Sequence, residues 1–169
     1  MAAGAKRRRM YRWGHVGAAL FLYGPVGAAL TRLGEPGLAA LGAVVAVACA
    51  TVPDADERLP IDHRGPTHTV WFVVAGAAVV ALVGAIGGAA VGRPGAVAAT
   101  AGVAAGLSLG SHVLADSITP MGIRPFYPLS AWHHSFDVTP AANPRANTAM
   151  LGAGVGFALA CQAVAVGMP

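Results

Sequence analysis

The chain alternates between long apolar runs and short polar connections. Five stretches, at 13–30, 36–52, 70–91, 95–114 and 148–166, are dominated by Ala, Val, Leu and Gly and contain no Lys, Arg, Asp or Glu. A charge-free run of about 18 residues is long enough to cross a bilayer as a helix. In lipid each segment must satisfy its own backbone hydrogen bonds, so each is expected to be helical. The pattern therefore predicts an all-α, polytopic membrane helix bundle of about five transmembrane helices. The second run is the shortest. A Pro opens or immediately precedes the second and fourth runs, where its missing N–H costs nothing. The organisation is a basic tail at 1–12 and one membrane-embedded domain at 13–169, with two long polar connections at 53–69 and 117–147.

Composition strengthens this picture. Hydrophobic residues make up 56% of the chain and charged residues 11%. Gly102, Gly106 and Gly110 fall on one face of the fourth run, and Gly84 and Gly88 on one face of the third. Small residues at this spacing let helix backbones approach closely in a membrane. Cys49 and Cys161 lie inside apolar runs and read as small buried hydrophobes.

The net charge is +4, yet no basic face with interleaved aromatics points to nucleic acid. Lys6, Arg7, Arg8, Arg9 and Arg12 instead flank the first run, as membrane-orienting residues do. With the N-terminus in the cytoplasm, these five face inward with Arg58, Arg64, Arg124 and Arg145, and only Arg32 and Arg93 face outward. This excess sets the expected orientation in a cell (plasma or inner) membrane. A cleaved signal peptide fits less well, because the first run passes Gly24-Pro25 without a clear cleavage site.

The same topology gathers the chemistry. Every histidine, and every acidic residue except Glu35, falls at the cytoplasmic end, although Lys and Arg alone set the orientation. The connection at 53–69 holds a third of all charged residues, among them Asp54, Asp56 and Asp62, together with His63 and His68. His112 and Asp116 share one helical face at i, i+4. His15 stands at the mouth of the first span. Imidazoles and carboxylates without thiolates suit zinc, manganese or iron as a divalent cofactor, zinc foremost. The donors suffice for one ion or two.

The ordered pieces around these residues resemble a known family. They are an early histidine (His15), a P-D-x-D turn (Pro53-Asp54-Ala55-Asp56), the motif His63-Arg64-Gly65-Pro66-Thr67-His68-Thr69, and His112, Asp116, Thr119 and Gly122 spaced as H-x-x-x-D-x-x-T-x-x-G. Together they are similar to the YdjM-type family of inner-membrane-associated metal-dependent hydrolases. The resemblance implies metal ligands and acid–base groups among His15, Asp54, Asp56, His63, His68, His112 and Asp116. Asp56, His68 and Asp116 are the catalytic candidates. Arg64 is expected to steady a phosphate or carboxylate of the substrate. His133 and His134 lie outside the motif and are expected to contact substrate.

The expected function is hydrolysis of an ester or phosphoester in a lipid-like or amphiphilic substrate at the cytoplasmic face. The connection at 117–147, with Phe126, Tyr127, Trp132 and Phe136, is expected to lie along the inner leaflet and cover the site. Two other classes use the same residues. One is an ion- or metal-handling transporter, although intramembrane His and Asp marking a pathway should appear on both sides. The other is a structural protein whose metal pins the 53–69 connection to the bundle.

Overall fold

The computed structural model describes residues 2–167, with side chains from Arg12 onward, so Lys6 and Arg7–Arg9 lie outside the described side chains. Five helices run in order: α1 (Ala2–Arg32), α2 (Pro36–Cys49), α3 (Val70–Ala89), α4 (Pro94–Ser117) and α5 (Pro144–Gly167). Among the described residues there is no strand, only a bridge between Ile123 and His134. The helices coincide with the five apolar runs to within a few residues, except that α1 continues back into the basic tail.

Local chemistry sets the helix starts. Proline is the first residue of α2, α4 and α5, where its fixed φ suits a helix and its missing N–H leaves no bond unmade. Helix α3 starts differently: the Thr69 hydroxyl oxygen accepts from the Phe72 N–H at 3.2 Å.

Four stretches are long and apolar enough to cross a membrane: Pro36–Arg58, Val70–Ala89, Pro94–Ser117 and Pro144–Gly167. The more polar α1 carries His15, Tyr23 and Pro25 among its apolar residues. It packs against α2, α4 and α5, and Tyr23 donates to the Ala39 carbonyl of α2 at 3.0 Å. Helix α3 lies at the opposite extreme. Gly88 is its one buried residue, and Trp71, Val74, Val79, Leu82, Val83 and Ile86 are exposed. Such a surface is stable when lipid rather than water covers it.

The glycine faces meet as the spacing predicts. A Cβ on Gly84 would lie 3.0 Å from the Ala101 Cβ of α4, and one on Gly102 would lie 2.8 Å from the Ala81 Cβ of α3. The α1–α5 contact is closer still, since a Cβ on Gly154 would overlap the Gly17 carbonyl. Across α2 and α4, Ser108 donates to the Ala46 carbonyl at 2.6 Å.

The helices alternate in direction, so the turns sort to two ends. The 53–69 and 117–147 connections and the start of α5 share one end with His15 of α1. The α1–α2 and α3–α4 turns share the other, where Arg93 and Glu35 pair. The 117–147 segment is folded back on itself. Ile123 and His134 exchange backbone hydrogen bonds at 2.9 Å, Phe136 N–H donates to the Ser117 carbonyl, and Val70 N–H donates to the Pro125 carbonyl.

Candidate metal centre

Three elements deliver the site. Helix α2 ends before Pro53, and a 3-10 turn over Pro53–Arg58 presents Asp54 and Asp56. A second short turn, Pro66–His68, buries His68 against the bundle just before the Thr69 cap. The last turns of α4 contribute His112 and Asp116 from one face. His68, His112, Asp56 and Asp116 are among the most deeply buried side chains in the chain.

Four atoms converge. His68 Nε2 lies 3.2 Å from His112 Nε2, 3.1 Å from Asp116 Oδ2 and 3.7 Å from Asp54 Oδ1. His112 Nε2 lies 3.4 Å from Asp54 Oδ1 and 3.6 Å from Asp116 Oδ2. A tetrahedral ion with bonds near 2.0 Å separates its ligands by about 3.3 Å. The observed edges bracket that value.

The hydrogen bonds around the cluster decide which way its lone pairs point. His112 Nδ1 is 2.8 Å from the Ala50 carbonyl, which can only accept, so Nδ1 carries the proton. Thr67 gives its hydroxyl proton to Asp56 Oδ2 at 2.8 Å, and its oxygen therefore accepts from His68 Nδ1 at 2.9 Å. In the neutral rings both Nε2 atoms are then unprotonated, and they face two carboxylate oxygens. No well-directed hydrogen bond ends on Asp116 Oδ2, although the atom is buried. Four acceptors around one point repel unless a cation lies between them. Burial by itself would lower the His68 pKa, but the carboxylates of Asp116 and Asp54 outweigh it and hold the pKa above the usual imidazole value. The same excess of negative charge suits a metal ion. By chemistry, geometry and the unused Asp116 oxygen, these residues fit a divalent cation.

Residues 10–168 match the family model of the YdjM inner membrane protein. The chain belongs to that family. No curated protein and no solved structure matches it.

The remaining candidates of this YdjM family member stand around the four. Asp56 is wholly buried and accepts from the Arg64 N–H at 3.0 Å and from Thr67, while its other oxygen is 3.0 Å from His63 Nδ1. Asp54, Asp56 and His63 form a second group near enough to hold an ion, sharing Asp54 with the first. His15 stacks on His112 with ring centres 3.8 Å apart, and its Nε2 is 3.7 Å from Asp116 Oδ1 rather than Oδ2. The Asp54 side chain, 20% exposed, is the most open of the four. Water or substrate can therefore approach from its side.

Arg64 lines the cleft beside the cluster. Its guanidinium is buried and donates to Asp116 Oδ1 at 2.9 Å, Thr119 Oγ1 at 2.7 Å and the Gly122 carbonyl at 3.1 Å. His133 is exposed, with Nε2 2.8 Å from the Met121 carbonyl. His134 stacks on Trp132 and meets Phe136 edge-on. Among the described contacts neither reaches the four converging atoms. His133 does line, with His63, Arg64, Arg124 and Tyr127, an open cleft of about 680 Å³ beside the cluster. The sequence reading assigned no role to Thr67 or Thr119. Both stand within the quoted motifs, and a hydroxyl next to a buried histidine or three residues past a buried carboxylate is the signal that could have flagged them.

Proposed function

We propose that this protein is a membrane-embedded, metal-dependent hydrolase. The observation that carries the reading is the convergence of His68 Nε2, His112 Nε2, Asp116 Oδ2 and Asp54 Oδ1, with both Nδ1 protons already committed outward. Outward hydrogen bonds of this kind orient metal-binding histidines. Asp54, His68, His112 and Asp116 hold the ion, with zinc favoured by the tetrahedral spacing and by nitrogen and oxygen donors. With a water as a further ligand beyond these four, a divalent ion there would lower that water's pKa to about 7 and polarise an ester or phosphoryl oxygen.

The chain's own groups do the rest. Asp56 fixes His68 through Thr67 and orients His63 directly. His63 is part-exposed beside the cleft, so its imidazole is the group placed to carry a proton to or from the reacting centre. The cleft accommodates the polar part of a substrate. Exposed Phe126, Leu129 and Trp132 on the neighbouring segment favour the headgroup layer, which supports a lipid-like or amphiphilic ester or phosphoester. The excess of Lys and Arg at this end supports a cytoplasm-facing site.

The first test is metal content of detergent-purified protein, wild type beside His112→Ala and Asp116→Ala. Near-stoichiometric zinc, manganese or iron in wild type, lost in both variants, is expected. Loaded protein is then screened against phospho- and carboxyl esters, with His63→Gln as the variant that keeps metal and loses turnover. Wild type that retains no metal after reconstitution excludes the hydrolase reading and leaves a polar cluster that pins the loop.

A further inference from the structure

We propose that Arg64 is a positioning residue for the metal centre: its guanidinium holds Asp116 so that Oδ2 alone faces the two imidazoles. The inference rests on the metal reading above and adds a function for a residue that stands outside the four converging ligands. Asp116 has two chemically equal oxygens, and something must decide which one points inward. Oδ1 receives Arg64 Nη2 at 2.9 Å and lies toward His15, whereas Oδ2 receives no well-directed hydrogen bond and lies 3.1 Å from His68 Nε2. The second guanidinium branch donates to Thr119 and to the Gly122 carbonyl, so the fork cannot swing away. An ammonium offers no such pair of fixed directions.

The backbone supports the same role. Arg64 has φ of 58°, a left-handed conformation that glycine adopts far more readily than arginine. In that conformation its N–H reaches Asp56 Oδ2 at 3.0 Å while its side chain reaches Asp116. One residue thus ties the carboxylate that orients His68 to the carboxylate that faces it. Gly122, at φ of 62°, accepts from the same guanidinium, and a Cβ there would overlap the His134 carbonyl. The clamp therefore also fixes the first turn of the 117–147 segment.

The test uses full-length protein in detergent, stripped and titrated with Co²⁺, reading the dissociation constant, the visible absorption spectrum and the thermal melt. Arg64→Gly removes the side chain at a position where glycine relieves the backbone. It should weaken Co²⁺ binding by about 10- to 100-fold, the usual effect of losing a residue that orients a ligand. Its visible bands should weaken as Asp116 binds through both oxygens. Arg64→Lys should recover part of the affinity but not the spectrum. A folded Arg64→Gly protein with wild-type affinity and spectrum overturns the proposal, as does full recovery by lysine. Should Arg64→Gly fail to fold, Thr119→Val frees one branch of the fork. Weaker Co²⁺ binding with an unchanged melt then supports the proposal, and unchanged binding overturns it. Wild type that binds no Co²⁺ removes the metal reading itself, which separates that failure from failure of the clamp.

Discussion

The two ends of the bundle use charge in opposite ways. At one end, Glu35 and Arg93 join the α1–α2 turn to the α3–α4 turn through two hydrogen bonds, and both side chains are well exposed. Donors match acceptors, and Arg93 holds the Glu35 carboxyl below the usual carboxylate range. At the other end, His68, His112, Asp116 and Asp54 are packed with acceptors in excess and one oxygen of Asp116 without a well-directed bond. A balanced exposed pair needs nothing more. A buried cluster with too many lone pairs is incomplete, and a cation could complete it. Hence a matched charge pair stitches turns at one end, and a cluster able to hold a metal ion stands at the other.

The largest effect belongs to the four converging residues. His112→Ala or Asp116→Ala removes one of the four converging ligands, so metal affinity should fall more than about 100-fold. Equilibrium dialysis with zinc measures this directly, and retention of wild-type affinity in either variant would place the ion elsewhere. Asp56→Asn should act more weakly, by about 10- to 100-fold, because it alters a partner that orients His68 and His63 rather than one of the four converging ligands. A greater loss in Asp56→Asn than in Asp116→Ala would instead assign Asp56 to the ion, as in the second group it forms with Asp54 and His63.

The pH dependence sharpens the contrast further. In the metal-free protein the folded state holds a proton on His68 more tightly than the unfolded state does. Its contribution is full below the ordinary imidazole value of about 6.5 and is lost as pH rises through the elevated folded value. Metal-free protein should therefore lose stability as pH rises through that window, by at most about 1.4 kcal/mol per pH unit for this one proton. Metal-loaded protein should show the opposite slope, because protons compete with the ion for Nε2. Thermal melts from about pH 6 upward, with and without zinc, would show either crossing or parallel slopes. Parallel slopes would mean that His68 does not meet the ion.

Much of the fold was legible because the membrane spans announce themselves by freedom from charge and, for α2, α4 and α5, by prolines at their starts. The ligand types were legible too, since buried imidazoles and carboxylates at i, i+4 and around a turn have few structural uses. Direction was not. Sequence marks Arg64 as a charge in a polar loop and suggests a substrate contact. Only the fold shows the left-handed backbone that turns the guanidinium inward to Asp116. Likewise, Asp54 and Asp56 look equivalent as a P-D-x-D turn. A 3-10 geometry sends the first toward the two Nε2 atoms and the second toward Arg64 N–H, Thr67 and His63. Which carboxylate faces the ion and which orients a ligand depends on those partners, and they come from distant positions.

The smallest effect is expected at the opposite end. Glu35→Gln removes one charge of the Glu35–Arg93 pair but leaves an amide that can still accept from the guanidinium. Both partners are open to solvent, which screens the pair, and exposed pairs of this kind add little to stability. The melt of Glu35→Gln should match wild type, its metal affinity should be unchanged, and raising the salt concentration should erase whatever small difference remains. A clear loss of zinc in this variant would mean that the two ends are coupled through α2 and α4. The ion pair would then be part of the centre's support rather than a separate clasp.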